Sequence, residues 1–269
     1  MNTCLICGHN LKKFAEIENY LILKCSYCVF GQTDKLDVQK GKYHRDEVYI
    51  EEEKLFKNIF QKRVDKILKF KKEGKVLEIG CSTGIMLSLL KNLGWEVVGV
   101  EISKKAAGVA AKRGIPVTVW DFMQTNLDEK YDLVILNHTL EHMDHPVRIL
   151  EKIKSLLSPS GLLYIDLPNF GGLSAKLLGT NWPLLLPDEH LWHFSEKSLL
   201  LLLKKIGFKV IFIEKASGIW DYGSPIGGVL LSLFSFKKRF FKEALTAVPA
   251  WVVSKLGLGS DLMVIARKT

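Results

Sequence analysis

The sequence lacks internal repeats, low-complexity tracts and a signal peptide. Its first residues, M-N-T-C-L-I-C-G, have neither the positively charged region nor the long apolar region of a secretory signal. We therefore expect a cytoplasmic protein. The formal net charge is +9, but no long basic tract concentrates it, so we expect no nucleic-acid partner. The sequence does not indicate an oligomeric state.

Apolar residues make up 48% of the 269 positions, which supports a sizeable core. A chain of this length suits one α/β domain with a small appendage. Strand patterns alternate with helical patterns from residue 76 onward, which predicts a doubly wound, mainly parallel sheet with its ligand at the carboxyl ends of the strands. The predicted strands begin with V-L-E-I at residue 76 and continue over residues 95–100, 116–120, 131–136, 161–167, 208–214 and 261–267.

The most informative motif is V-L-E-I-G-C-S-T-G at residues 76–84, an apolar strand followed by a turn with two glycines. Gly80 permits a sharp turn, and the helix predicted over residues 85–93 points its first N–H groups into the same crevice. The dinucleotide fingerprint G-x-G-x-x-G is absent, and Glu78 would repel a pyrophosphate. An acid at this position suits a cationic ligand. Glu101 follows the next strand, near the position where such folds bind a ribose diol.

These motifs resemble those of the class I S-adenosylmethionine-dependent methyltransferases, over residues 43–269. The resemblance implies S-adenosylmethionine (SAM) as cofactor, a seven-stranded Rossmann-like sheet, and a last strand inserted antiparallel between strands five and six. We expect Cys81 to be a small packing residue in the cofactor turn and not a nucleophile. The resemblance implies that the methionine part of SAM is held by Glu78, Gly80, Cys81 and Gly84. It also implies that Glu101 binds the ribose and that Asp121 and Phe122 contact the adenine. Asn137 and His138 would form the floor of the cofactor site, after strand four.

Four cysteines near the N-terminus follow the pattern C-x2-C-x17-C-x2-C. Each C-x2-C turn presents two thiolates, so the pattern predicts a tetrahedral zinc site, with Gly8 and Gly31 in the tight turns. Disulfides are the first alternative, which a cytoplasmic location disfavours, and an iron centre is the second. Because protein fills all four positions, we expect a structural ion. The predicted ligands are Cys4, Cys7, Cys25 and Cys28.

The cysteine pattern limits the predicted zinc ribbon to residues 1–31. Residues 32–50 are polar and charged, and we interpret them as a linker. An amphipathic helix is predicted over residues 51–72, from apolar residues at helical spacing. The methyltransferase domain then covers residues 51–269.

An apolar and basic segment at residues 223–258 precedes the last predicted strand. Short apolar runs flank K-K-R-F-F-K, and neither run reaches the roughly 20 residues that span a bilayer. This composition suits a peripheral contact with anionic lipid through residues 226–256. A helical lid over the active site and a dimer contact are the alternatives, and the sequence leaves all three open.

Two histidine-rich stretches follow predicted strands four and five, where the methyl acceptor is expected. N-H-T-L-E-H at residues 137–142 resembles a segment of the quinone-pathway O-methyltransferases, some of which hold a divalent metal with Glu-x-x-Glu-His. Here a histidine replaces the first glutamate. Two interpretations stay open. His138, Glu141 and His142 bind a metal, or Glu141 and His142 instead orient the loop.

The second stretch, D-E-H-L-W-H-F-S at residues 188–195, resembles the Glu-His pair with which zinc-containing sugar C-methyltransferases assist proton removal. Glu189 and His190 match that pair, whereas Pro187 replaces a tyrosine of those enzymes. We therefore predict His190 as general base, with Glu189 in support and His193 in reserve.

The sequence thus predicts methyl transfer from SAM, most readily to an oxygen of a small or lipid-linked acceptor such as a sugar or glycolipid. Methylation of a ring hydroxyl in a quinone-like lipid is the first alternative. The second, from another class, is a zinc-ribbon interaction module on a cofactor-binding scaffold, which recruits a partner protein and has little turnover.

Overall fold

The computed structural model describes residues 3–35, 46–216 and 254–269. Residues 226–253, which make up most of the segment predicted as a membrane contact, a lid or a dimer surface, lie outside the described residues. Within the described ranges, no helix has the length and apolar character needed to cross a membrane.

The N-terminal ribbon is a small antiparallel sheet of strands β1 (Leu11–Ile17), β2 (Tyr20–Cys25) and β3 (Gly31–Lys35). Strand β3 pairs with β2 from Gly31 to Lys35, so the sheet continues past residue 31, the boundary predicted from the cysteines. The backbone of residues 32–35 forms hydrogen bonds with β2. The spacing of the cysteines contains no information about this pairing.

The central sheet has seven strands, as predicted, and their order in space is β10-β11-β8-β7-β4-β5-β6. Neighbouring strands from β4 to β8 pair in parallel. The last strand pairs antiparallel with both its neighbours, which confirms the predicted insertion. The strands are β4 (Lys75–Ile79), β5 (Glu96–Glu101), β6 (Val117–Val119), β7 (Tyr131–Asn137), β8 (Leu157–Pro168), β10 (Phe208–Ala216) and β11 (Asp261–Lys268).

Seven α-helices are described, and those that connect parallel strands cover the sheet. Local signals fix several helix ends. Pro146 occupies the first turn of its helix, where its missing N–H costs no hydrogen bond. Ser195 and Ser198 form a reciprocal capping box. The helices are α1 (Asp46–Glu51), α2 (Glu53–Ile67), α3 (Ile85–Asn92), α4 (Lys104–Lys112), α5 (Pro146–Leu156), α6 (Leu173–Leu178) and α7 (Glu196–Ile206).

The ribbon and the central sheet share one hydrophobic core. A two-residue strand, β9 (Trp192–His193), pairs with β3 and so adds a fourth strand to the ribbon sheet. Phe30 of the ribbon packs against Phe194 and Trp192, with ring centroids 5.3 and 5.8 Å apart. Because β9 lies in the second histidine-rich stretch, this packing attaches the ribbon to the loop where the acceptor is expected.

Candidate active site

Two glycines shape the loop between β4 and α3. Gly80 and Gly84 both have a φ of +73°, in the left-handed region that favours glycine. A Cβ at Gly80 would lie 2.7 Å from the Thr139 hydroxyl, and one at Gly84 would lie 2.8 Å from the Cβ of Ala110. The loop therefore requires glycine at both positions, and it lies close to the segment that follows β7.

Glu101 holds the same loop from the end of β5. Its Oε2 accepts the N–H of Ser82 at 2.8 Å, and its Oε1 accepts the N–H of Ser103 at 2.8 Å. Ser103 in turn caps α4, because its hydroxyl accepts the N–H of Ala106 at 3.2 Å. A carboxylate oxygen has more than one acceptor site, so Glu101 retains capacity to accept ribose hydroxyls.

Glu78 is a buried carboxyl group at the end of β4. It is 2% exposed, and its Oε2 has no hydrogen-bond partner among the described residues. Burial, and after it the charge of Glu101, raise the pKa of Glu78 to about 8. A cationic ligand would favour the ionised form, so this unpartnered oxygen fits a cofactor that carries a positive charge.

A small cleft opens beside Glu78 and the glycine loop. Tyr49 of α1 and Phe60 of α2 border it, with their rings stacked at 6.4 Å between centroids. Tyr49 lies in the predicted linker and was not among the predicted site residues. The spacing of Tyr49, Phe56 and Phe60 was the available signal. The cleft is lined by Tyr49, Phe60, Glu78, Gly80, Cys81, Ser82, Thr83, Ile85, Met86 and Asn137.

The two residues expected to contact adenine follow β6. Asp121 is exposed, and its Oδ1 accepts the N–H of Met123 at 2.7 Å. Phe122 is 3% exposed and packs in the core, with the Nζ of Lys152 at 4.6 Å from its ring centroid. Neither residue lines the cleft, whereas the neighbouring Trp120 is exposed. The adenine contact of Asp121 and Phe122 therefore stays a prediction.

His138 lies directly after β7, in the left-handed region with a φ of +49°. Its Nδ1 is 3.5 Å from Oε1 of Glu141, and its Nε2 is 3.3 Å from Nη2 of Arg63. Arg63 also forms a buried ion pair with Asp166, with 2.6 Å between Nε and Oδ2. Although burial opposes a charged imidazole, the nearby carboxylate of Glu141 and the charge of Asp166 raise the pKa of His138. Both its ring nitrogens are thus engaged by neighbouring protein groups.

The two histidine-rich stretches meet at His142 and His190, whose ring centroids are 4.8 Å apart. Nδ1 of His142 lies 2.8 Å from the carbonyl oxygen of Glu189, and Nδ1 of His190 lies 3.0 Å from that of Leu184. A carbonyl oxygen only accepts, so each Nδ1 carries the hydrogen. Burial lowers the pKa of His190 to about 4, which keeps this imidazole neutral.

The other two predicted catalytic residues have different surroundings. The Nε2 of His193 lies 2.8 Å from the Thr33 hydroxyl in β3, and burial lowers the pKa of His193 to about 3. His193 therefore joins the ribbon to the acceptor loop. Glu189 supplies the carbonyl that orients His142. The role of His190 as general base, with Glu189 in support and His193 in reserve, stays a prediction.

The four predicted zinc ligands lie together. Their sulfur atoms are all within 4.8 Å of one another. Sulfur–sulfur distances are 3.5 Å for Cys4 and Cys28, for Cys7 and Cys25, and for Cys7 and Cys28. A tetrahedral zinc with bonds of about 2.3 Å places its sulfurs about 3.8 Å apart, so the cluster fits one ion and no disulfide.

The two cysteine turns have the same backbone structure. The N–H of Gly8 donates to the carbonyl of Cys4 at 2.9 Å, and the N–H of Val29 donates to that of Cys25 at 3.0 Å. Gly8 has a φ of +73° and Val29 one of +57°. Val29, and not Gly31, therefore occupies the tight position of the second turn. Gly31 has another role, because a Cβ there would lie 2.9 Å from the Cβ of His193.

Comparison with known proteins finds relatives among the methyltransferases. The ubiquinone biosynthesis O-methyltransferase of Actinobacillus pleuropneumoniae serotype 7 (strain AP76) is 31% identical over 107 residues, covering 35% of this chain and 46% of that enzyme. The C-methyltransferase NovU of Streptomyces niveus is 29% identical over 147 residues, covering 52% of this chain and 34% of that enzyme. The chain thus spans less than half the length of these two relatives.

Solved structures share the fold. The plantazolicin methyltransferase BpumL, in complex with a monoazolic desmethylPZN analog and SAH, superposes with a TM-score of 0.53 at 20% identity, covering 80% of this chain and 84% of that one. Residues 51–212, more than half of the chain, match the family model of the methyltransferase domain. The chain therefore belongs to the methyltransferase domain family and has the class I methyltransferase fold.

Proposed function

We propose that this methyltransferase transfers the methyl group of SAM to an oxygen of a small or lipid-linked acceptor, such as a sugar or glycolipid. The observation that carries the proposal is the polar cluster of Glu141, His142 and His190, in which the two histidine-rich stretches meet. Such a cluster suits an acceptor hydroxyl, whereas an apolar pocket would suit a carbon or an aromatic ring. Glu141 and His142 follow the strand whose last residue, Asn137, lines the cleft.

The cofactor would occupy the cleft between the glycine loop and α2. When bound, SAM supplies an electrophilic methyl group on a positively charged sulfur. Gly80 leaves room for its methionine part, Glu78 faces its positive charge, and Glu101 accepts hydrogen bonds from its ribose. The enzyme's main task is then to align the acceptor oxygen with the methyl group and to exclude water.

We further propose that the four cysteines hold a structural zinc. Their spacing and sulfur–sulfur distances support one tetrahedral ion, and all four positions are filled by protein. The hydroxyl of Thr33 and the carbonyl of Cys28 both contact the acceptor loop, at His193 and at Ser195. The ribbon would therefore brace that loop and take no part in the chemistry.

A quinone-like lipid is the second candidate acceptor, and it is favoured by the similarity to the ubiquinone biosynthesis O-methyltransferase. A peripheral membrane contact through residues 226–256 would suit either lipid acceptor. A glycolipid, a quinone-like lipid and a water-soluble sugar all present a hydroxyl to the same cluster. The acceptor must therefore be identified by experiment.

Methyl transfer from SAM labelled with carbon-13 in its methyl group tests the proposal. The full chain is incubated with three separate pools of acceptors: soluble sugars and sugar nucleotides, glycolipids, and hydroxylated quinone-like phenols. We expect labelled methyl ethers in one pool, recognised by the carbon chemical shift of an O-methyl group. A labelled methyl group on carbon would contradict O-methylation. Cofactor binding without transfer to any pool would favour the interaction module with little turnover.

A further inference from the structure

We propose that Glu141, His142 and His190 form a second metal site, which binds a divalent transition ion and is separate from the four cysteines. One ligand atom from each of the three residues lies within 4.8 Å of the other two. Two of the residues come from the segment after β7, and the third comes from the loop before β9. The inference deepens the proposed function and rests on it for the role of the metal, though not for its binding.

Each of the two imidazoles has, on Nδ1, the outer hydrogen bond that is usual for a metal ligand. Each Nδ1 faces a backbone carbonyl, of Glu189 at 2.8 Å and of Leu184 at 3.0 Å. This hydrogen bond fixes the tautomer and leaves the lone pair on Nε2. Metal-binding histidines almost always donate their other ring N–H to a carboxylate, a carbonyl or water in this way.

The carboxylate of Glu141 supplies the independent observation. The residue is 1% exposed, and neither carboxylate oxygen has a hydrogen-bond partner among the described residues. The Nδ1 of His138 lies 3.5 Å from Oε1. A buried carboxylate without hydrogen bonds is costly unless a cation compensates it, and a metal ion between Glu141 and the two imidazoles would do so.

The backbone holds the three ligands in place before any ion binds. The N–H of Leu191 donates to the carbonyl of Glu141 at 2.9 Å, which joins the two segments directly. The N–H of His190 donates to the carbonyl of Leu186 at 2.8 Å, and that of His142 donates to the carbonyl of Thr139 at 3.1 Å. This support reduces the loss of conformational freedom on binding the metal.

The ligand set differs from the one that the sequence left open. His138 directs one ring nitrogen at Glu141 and the other at Arg63, so it orients the carboxylate and does not complete the set. His190, distant in sequence, replaces it. Two imidazoles with one carboxylate suit zinc, cobalt or ferrous iron, whereas magnesium prefers oxygen ligands. We therefore infer a transition ion at this site.

Three protein ligands leave coordination positions open. A hydroxyl of the acceptor bound there would lose its proton to solvent more readily, because the ion stabilises the alkoxide. The oxygen–carbon bond then forms as the carbon–sulfur bond of SAM breaks, and the electron pair of that bond goes to sulfur. A metal at this site would thus favour oxygen as the methylated atom.

Cobalt binding to the full chain tests the proposal without an acceptor. Metal-free protein is titrated with Co²⁺, and metal content and absorption are measured together. Thiolate-to-cobalt charge-transfer bands report the cysteine site, and weak visible bands without charge transfer report a site of nitrogen and oxygen ligands. We expect about two equivalents per chain, one of each kind. Excess Mg²⁺ should displace neither ion.

Two variants test whether the second Co²⁺ ion binds to Glu141, His142 and His190. Glu141→Gln and His190→Gln should each lose the nitrogen and oxygen site and keep the thiolate site. His145→Ala, a change of an exposed histidine in the same segment, should keep both. The proposal would be overturned if both glutamine variants still bound the second Co²⁺ ion in full. It would also be overturned if the unchanged chain bound only one Co²⁺ ion, at the thiolate site.

Failure of this inference is distinguishable from failure of the proposed function. Methyl ethers formed by a protein with one thiolate-bound metal would refute the second site and keep O-methylation. Two bound metals with methyl transfer to carbon would do the reverse. If a variant fails to fold, its thiolate site and its binding of SAH would be lost as well, and the cobalt titration of the unchanged chain then decides.

Discussion

The hydroxyl of Ser195 donates a 2.7 Å hydrogen bond to the carbonyl oxygen of Cys28. Ser195 is also the N-cap of α7, and its hydroxyl accepts the N–H of Ser198 at 3.2 Å. One buried side chain thus connects the second cysteine turn to the start of a helix in the methyltransferase domain. The ribbon is attached to the acceptor loop by this bond, by the β3–β9 pairing and by the contact of Thr33 with His193.

Ser195→Ala should destabilise the protein by about 1–3 kcal/mol, because it removes a helix cap and leaves a buried carbonyl without its donor. The free energy of unfolding is measured by urea denaturation. The matched control is Ser155→Ala, which changes an exposed serine in α5 and should alter the free energy by less than about 0.5 kcal/mol. Equal effects of the two changes would remove Ser195 from the connection.

Gly31→Ala should separate the ribbon from β9. The added Cβ would lie 2.9 Å from the Cβ of His193, and we expect a loss of about 1–3 kcal/mol from overpacking. Gly108→Ala is the control, because a Cβ there meets nothing within 4 Å and the residue lies inside α4. That change should stabilise the protein by about 0.5–1 kcal/mol. A neutral Gly31→Ala would contradict the close approach.

Much of the fold could be predicted from the sequence because its signals are local. Apolar runs, Pro146 at a helix start and Ser195 at a helix cap each act through neighbouring residues. Pairing of β3 with β9 joins residues far apart in the chain, and no local pattern encodes it. The predicted ribbon therefore ended at residue 31, whereas its sheet continues to Lys35.

The site likewise contains residues that local sequence signals predict and residues that they do not. Glu78, Gly80 and Asn137 were predicted from strand ends, and all three line the cleft. Tyr49 was missed, because its place over the cleft depends on how α1 packs. The approach of His190 to Glu141 was also not predictable, since it depends on the path of the loop between β8 and β9 and not on residue spacing.

Loss of the zinc should loosen the acceptor loop. Cys25→Ser should remove the thiolate-bound metal and speed amide hydrogen exchange in both β3 and β9, because ribbon folding depends on the ion. Exchange in β4 should stay unchanged. Cys81→Ser, at the one cysteine outside the cluster, should keep the metal. Unchanged exchange in β9 after loss of the metal would contradict the bracing role of the ribbon.

Cofactor binding should release a proton through Glu78. The folded-state pKa of about 8 lies above the ordinary 4.5, so Glu78 is protonated at pH 7 in the free protein. Its contribution to stability is present at low pH and is lost as the pH rises from about 4.5 to 8. A cationic cofactor favours the carboxylate, so SAM affinity should rise with pH up to about 8 and then level off.

Calorimetry in buffers of different ionisation enthalpy measures this release, which should approach about one proton at pH 7. Glu78→Gln carries no titrating group and should release none. An equal release in that variant would show that another group titrates on binding.

The most direct measurement for the whole account is calorimetric titration of the full chain with SAH. Glu101→Ala should weaken SAH at least about 10-fold, since the ribose loses a charged acceptor and the glycine loop loses its anchor at Ser82. Glu96→Ala removes an exposed carboxylate from the other end of β5 and should keep the affinity of the unchanged chain. Absence of SAH binding, or equal affinity in the Glu101 and Glu96 variants, would contradict the assigned cofactor site.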